Sequence, residues 1–481
     1  MEPFLPFEDQ RRAIDYIVEN KAVLLKAPTG AGKTLVGVQS AIEADAQVIL
    51  CIAPLNTVKG WRETVERQYQ GTMPFHHITS RAAGKRAHGA VLIKERGFYI
   101  IGREYFKRHG WSKLKADFII FDECHGATNR DSLMWKMLKT ARAPYLLAMS
   151  ATPFGNKVEG AWALARWLWP KDTPRGYWNW VTEFFTTAKN IHAERRAEEK
   201  GQRASPDIVC EKVPGSVWKS LPHAIRMKSV YKGVPVIHKV EVELSPQQRK
   251  HYRELEEEAI TWLDDHPLAV DLPPVLSMRL RQVCLAVPSI KQDWKRVYDK
   301  DTEEWYKEWG DVVYFDDDAK SSKIDATMEI LADQFAGGPI PFLIFTDSRI
   351  YATLLTKRLQ AKGYRARQFI GGMSPAERAW KLENFGVEFE IMVCTIPTVA
   401  EGTDGLQRVC WNEIWENVSW NRLLNIQTQG RNSRTGQTKI VNRWMLQAVD
   451  TVEVKQDTKL KSDQELMDAA IEEREEALSD Y

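Results

Sequence analysis

The sequence predicts an α/β chain: two parallel-sheet units in tandem, the first carrying a helical insertion. Three observations predict it. Short, continuously apolar runs recur, each followed by a turn and a helical pattern, which is how strands of a parallel sheet buried on both faces read. The first of these runs leads into a glycine-rich loop ending in Lys-Thr. The rhythm stops near residue 155 and restarts near residue 340.

Ala22–Leu25 is the first expected strand, followed by Ala27-Pro28-Thr29-Gly30-Ala31-Gly32-Lys33-Thr34 and a helix-compatible stretch from Leu35 to Ala44. Ala27 stands where such loops usually have Gly. Thr29, Gly30, Ala31 and Gly32 form a cradle whose backbone N–H groups can curl around a phosphate. Lys33 is suited to neutralise the β- and γ-oxygens, and Thr34 to offer its hydroxyl to Mg²⁺. The loop therefore points to a nucleoside triphosphate.

Val48–Ile52 is the second strand and Phe118–Phe121 the third, running into Asp122-Glu123-Cys124-His125. A buried strand ending in two carboxylates suits the other half of such a site. Asp122 would hold Mg²⁺ and Glu123 would polarise the attacking water. Tyr145–Met149 closes the first set. Residues 156–230 carry Trp162, Trp167, Trp169, Trp178, Trp180 and Trp218 among charged helix formers, and read as a helical insertion whose tryptophans are core. The second set is Pro341–Phe345, Ala366–Ile370 and Ile391–Cys394. The domains are expected at 1–234 and 235–450, with the insertion at about 156–230 and an acidic tail at 451–481.

A chain of 481 residues can bury two or three cores. No apolar run approaches the roughly 18 residues of a membrane span, and no secretory signal opens the sequence. The six cysteines include no Cys-x-x-Cys pair, which argues against a zinc knuckle or a disulfide framework and for a reducing compartment. A cytoplasmic location is expected in a bacterial or infected cell, a nuclear one in a eukaryote. The net charge of +2 is unevenly spread: residues 451–481 hold ten Asp/Glu against four Lys/Arg. Residues 81–115 hold ten Lys/Arg against Glu95 and Glu104, a surplus that suits a polyanion.

Asp122-Glu123-Cys124-His125, with Ser150-Ala151-Thr152 downstream, resembles motifs II and III of the superfamily-two helicases and translocases. Gln10 resembles the upstream glutamine that reads adenine. Ala53-Pro54-Leu55 with Trp61 resembles motif Ia, and Pro341–Asp347 resembles motif IV. Thr395 with Gly402 and Asp404 resembles motif V, and Gln427 to Gln437 resembles motif VI. Within that superfamily, Arg431-x-x-Arg434-x-Gly436-Gln437 is similar to the Swi/Snf-type ATPases. So are Leu244–Gln248 with Tyr252, Leu280–Cys284 ending at Pro288, Ser322-Lys323 and Trp420-Asn421. Glu401-Gly-Thr-Asp404 is closer to general helicases. Glu416 and Arg422 stand where the Swi/Snf proteins usually have Asp and Pro.

The resemblance implies two RecA-like domains with ATP and Mg²⁺ in the cleft between them. It implies Lys33, Thr34, Asp122 and Glu123 from the first domain and Arg431 and Arg434 from the second, with Gly402 and Asp404 also at the nucleotide. His125, Ser150, Thr152 and Gln427 would couple the nucleotide to the nucleic acid. Pro54, Thr57, Arg103 and Thr395 would touch the nucleic-acid backbone with little base preference. The expected function is an ATP-dependent DNA translocase or helicase serving replication, recombination or repair. An RNA helicase and a non-hydrolysing nucleic-acid-binding module are the alternatives.

Overall fold

The computed structural model describes residues 2–79, 95–109, 115–155, 157–190, 204–228, 233–263, 266–269, 273–298, 305–400 and 403–472. The chain divides into two compact units, the first of residues 1–231 with 462–481 and the second of residues 232–461.

The first unit holds strands β1 (Ala22–Lys26), β2 (Val48–Ala53), β3 (Phe75–Ile78), β4 (Gly97–Gly102), β5 (Phe118–Asp122) and β6 (Tyr145–Ser150), then β7 (Phe185–Ala188), β8 (Asp207–Glu211) and β9 (Ala224–Arg226). Seven of them form one sheet in the order β3-β4-β2-β5-β6-β1-β9. Every pairing in it is parallel. Side chains alternate across a strand, so each apolar run feeds two cores. Leu24, Ile119 and Phe121 pack on one face with the helices Ala161–Leu168 and Tyr177–Phe184. Val23, Leu25, Phe118 and Ile120 pack on the other with the helices Glu8–Asn20, Lys33–Glu43 and Val58–Gln68.

Residues 156–230 differ from the helical insertion expected. They include the antiparallel pair β7–β8 and contribute β9 to the edge of the main sheet beside β1. The tryptophans are core, as read: Trp162, Trp167, Trp169, Trp180 and Trp218 are buried, and Trp178 is half-buried beneath the Arg130 guanidinium.

The second unit holds β10 (Val236–Val242), the hairpins β11 (Ile260–Leu263) with β12 (His266–Ala269) and β13 (Ser289–Tyr298) with β14 (Trp305–Tyr314), then β15 (Phe342–Thr346), β16 (Ala366–Phe369), β17 (Ile391–Thr395), β18 (Asn412–Trp415) and β19 (Asn442–Ala448). Its main sheet runs β10-β19-β18-β15-β17-β16 and is again parallel throughout. Phe342 and Ile344 enter one core, Leu343 and Phe345 the other. Two parallel α/β sheets in tandem are the RecA-like plan the sequence predicts.

Three of the Swi/Snf-like segments of this unit, Leu244–Gln248, Leu280–Cys284 and Ser322-Lys323, converge on Gln248, which is fully buried. Its amide nitrogen donates to the Val283 carbonyl over 2.8 Å, and its carbonyl accepts from the Ser322 N–H over 3.1 Å. The segment expected to begin a solvated tail at 451 starts inside this unit. The helix Val452–Glu472 places Glu453 6% exposed, with its carboxylate 2.8 Å from the buried Lys323 ammonium. No helix of the described residues is long and apolar enough to cross a membrane.

Candidate nucleotide site and nucleic-acid edge

In a parallel sheet all strands end on the same edge, and loops leaving that edge can share one site. β1 ends at Lys26 and delivers Thr29 to Thr34. β2 ends at Ala53 and delivers Pro54 and Thr57, and β4 delivers Arg103. β5 ends in Asp122 and delivers Glu123 and His125, while β6 ends in Ser150 ahead of Thr152. The sequence-predicted residues of the first unit, Gln10 apart, therefore gather at one carboxyl edge.

The phosphate loop turns on two left-handed glycines, Gly30 at φ 81° and Gly32 at φ 80°. Gly32 caps the helix Lys33–Glu43, whose first turn has backbone N–H groups with no intrahelical acceptor. The Lys33 ammonium donates to the carbonyls of Ala27 at 3.0 Å and Pro28 at 3.2 Å, so it lies within the loop. Gln10 reaches the same loop from the first helix. Its amide nitrogen donates to the Ala31 carbonyl over 2.9 Å, and its carbonyl accepts from the Phe7 N–H over 2.9 Å. A Cβ on Gly32 would collide with that amide nitrogen. Gln10 is only 3% exposed, so in this structure it acts as a strut behind the loop.

Asp122 accepts from the Glu123 N–H over 2.9 Å at one oxygen and from the Trp61 indole N–H over 3.3 Å at the other. Glu123 adopts a left-handed backbone at φ 50°. Its carboxylate accepts the Ser150 hydroxyl over 2.9 Å and lies 3.3 Å from His125 Nδ1. That nitrogen is 3.1 Å from Ser150 Oγ, which also accepts from the Thr152 N–H over 3.1 Å. Glu123, His125, Ser150 and Thr152 are thus one hydrogen-bonded cluster across the ends of β5 and β6.

Electrostatics divides the two carboxyls. Burial and the neighbouring Glu123 charge push Asp122 up. Burial also acts to raise Glu123, but the hydrogen bond from His125 and the Lys33 charge hold it well below the usual carboxylate range. An ammonium, a hydroxyl and a helix N-terminus beside the buried Asp122 and half-buried Glu123 carboxylates match a polyphosphate accompanied by a divalent cation, which would relieve the repulsion between the anionic groups. Among the described residues, no group of three or more His, Cys, Asp or Glu could hold a metal ion alone.

Of the nucleic-acid candidates, Thr57 closes its turn by donating to the Pro54 carbonyl over 2.7 Å. The Arg103 guanidinium lies over Gly126, where an added Cβ would sit 3.0 Å from its Nη1. Of the basic stretch 81–115, residues 81–94 and 110–114 lie outside the described residues.

In the second unit, Thr395 ends β17 and shares a 2.7 Å hydroxyl contact with Thr398. Gln427 is buried on the helix Arg422–Asn432. Arg431 on that helix donates to the Ala400 carbonyl over 2.5 Å. Arg434 pairs with Asp404 at 3.2 Å. Burial acts to raise the Asp404 carboxyl, but Arg434, the Gly405 N–H and the Gln407 amide hold it below its ordinary value. Gln407 was missed in sequence; the Asp-x-x-Gln spacing that lets it reach Asp404 was its signal. Gly402 lies outside the described residues.

Residues 4–155 match the family model described as "Type III restriction enzyme, res subunit". The mouse chromodomain-helicase-DNA-binding protein 1-like is 23% identical over 419 residues, covering 85% of this chain and 43% of the relative. The Bacillus subtilis protein described as uncharacterized ATP-dependent helicase YqhH is 20% identical over 469 residues, covering 94% and 76%. The solved SWI2/SNF2 ATPase core of Sulfolobus solfataricus, in complex with double-stranded DNA, is 18% identical with a TM-score of 0.40, covering 97% of this chain and 94% of that one. The chain spans less than half of the mouse relative's length. The motif series lies in order along two parallel sheets, and over most of its length the chain is similar to proteins described as helicases.

Proposed function

We propose that this protein is a DNA-dependent ATPase that converts ATP hydrolysis into movement along DNA. The observation that carries this reading is the cluster in which the Ser150 hydroxyl bonds the Glu123 carboxylate directly, with His125 beside both and the Thr152 N–H on Ser150. A general base wired to a neighbouring strand end makes hydrolysis answerable to whatever else contacts that edge. Mg²⁺, held by Thr34 and Asp122, would neutralise phosphate charge. Lys33 and the loop N–H groups bind and orient the phosphates. Glu123 takes the proton of the attacking water at its carboxylate, and His125 and Ser150 keep that carboxylate ionised and aimed. Arg431 and Arg434 are the candidates to stabilise charge on the transferred phosphoryl group. Pro54, Thr57, Arg103 and Thr395 are the candidate backbone contacts, so DNA binding should weaken steeply with salt and show little base preference.

The test is ATPase turnover with duplex DNA, single-stranded DNA and RNA, paired with triplex displacement and duplex unwinding. Duplex DNA should stimulate turnover most. Lys33→Ala and Glu123→Gln should each lower kcat by at least about a hundredfold. Glu123→Gln should retain ATP binding. A native rate indifferent to every nucleic acid would end the proposal.

A further inference from the structure

The Trp61 ring is 1% exposed, yet it is more than filler. Its N–H donates to Asp122 from the helix Val58–Gln68, while the other Asp122 oxygen is held by the backbone of its own strand end. The ring is fixed on two further sides. It stacks on Phe98 with centroids 5.7 Å apart. It also lies against Gly37 in the middle of the phosphate-loop helix, where a Cβ would come 3.2 Å from Trp61 Cη2. Glycine weakens a helix interior relative to alanine, so its presence there fits a backbone brought close to a bulky ring. The helix that carries Trp61 begins directly after Pro54 and Thr57, and Thr57 lies one helical turn from Trp61. A small rigid-body shift of this helix would move the indole N–H relative to Asp122.

We propose that Trp61 is a positioning residue that orients Asp122 for Mg²⁺ and carries the state of the candidate strand-contact turn at Pro54–Thr57 to that carboxylate. This rests on the function proposed above. Side chains that hold metal ligands in place typically cost 10- to 100-fold in metal affinity or activity when lost, and the long 3.3 Å contact belongs at the lower end.

The experiment uses the full chain with Trp61→Phe, and a second variant in which the indole is replaced by its benzothiophene analogue, which keeps the shape and lacks only the N–H. Binding of a fluorescent ATP analogue is titrated with Mg²⁺, and ATPase is measured with and without duplex DNA. The expected result is a Mg²⁺ midpoint raised roughly tenfold, with reduced DNA stimulation of kcat. Binding without Mg²⁺ and the Tm of the benzothiophene protein should stay at native values. A native Mg²⁺ midpoint in the benzothiophene protein would overturn the proposal. The binding titration does not depend on DNA stimulation, so failure of the motor reading in the native protein is seen separately.

Discussion

Single residues in this protein are placed by partners far away in sequence, and Glu416 shows the consequence. Its side chain is fully buried, accepting from the Thr327 hydroxyl over 2.5 Å and the Tyr351 hydroxyl over 2.9 Å. Burial pushes its carboxyl up to about 7, against the opposing effects of Thr327, Lys323 and Tyr351 and with a further push from Glu453. The folded state therefore holds this proton more tightly than the unfolded state. Stability is fullest below the unfolded carboxyl range and is lost as pH rises toward 7. Relative to the native protein, Glu416→Gln should gain about 3 kcal/mol of stability between pH 4.5 and pH 8. Denaturant melts of both proteins across that range check it, and parallel pH profiles would refute the assignment. The residue at this position departs from the usual Asp of the Swi/Snf proteins, and the structure uses its side chain to bridge two hydroxyls.

At the scale of elements, three of the Swi/Snf-like segments of the second unit meet at one amide. Gln248 ties the helix Pro246–Glu258 to the carboxyl end of Pro273–Leu285 and the start of Ser322–Gln334. Gln248→Leu fills similar space but leaves the Val283 carbonyl and the Ser322 N–H unmet, which should cost about 2–4 kcal/mol in a denaturant melt of the second unit. Its residue types were legible in sequence, but its partners were not. The phosphate loop was legible because phosphate chemistry restricts residue type and order together. The first-unit strands found in sequence were the uninterrupted apolar ones. β3 and β9 are too short to stand out, at four and three residues, and β4 borders a basic run. β18 was hidden by Glu413, a charge that reads as surface. It is matched at 2.6 Å by Arg443 on β19, a pairing that only the fold creates. Gln10 was found, but its role behind the loop depends on Ala31 and Phe7 being brought to it.

For the molecule as a whole, the limit of the second unit is a matter of charge. Lys323 has no exposure and depends on Glu453 for its counter-ion, while Val452 N–H donates to the Tyr252 hydroxyl over 2.6 Å. Ending the chain after Asp450 would strand a buried ammonium, a loss of about 3–5 kcal/mol. Ending it after Lys461 keeps both contacts. Thermal melts and limited proteolysis of the two truncations should separate them clearly, with the longer one close to native. Equal melting of the two would show that the helix start contributes nothing to the unit.

The strand that launches the phosphate loop also imposes an order on synthesis. β1 is synthesised before its neighbours β6 and β9, whose residues pair with it as Ala22 with Leu146 and Leu24 with Ala224. At about 5–20 residues per second, translation must continue for roughly 10–40 s after β1 before β9 exists. Until then the nascent chain carries an apolar strand with an open flank, a target for chaperones. A premature stop before Ala224 would release a polypeptide that has every residue of the phosphate loop but lacks the strand that borders it.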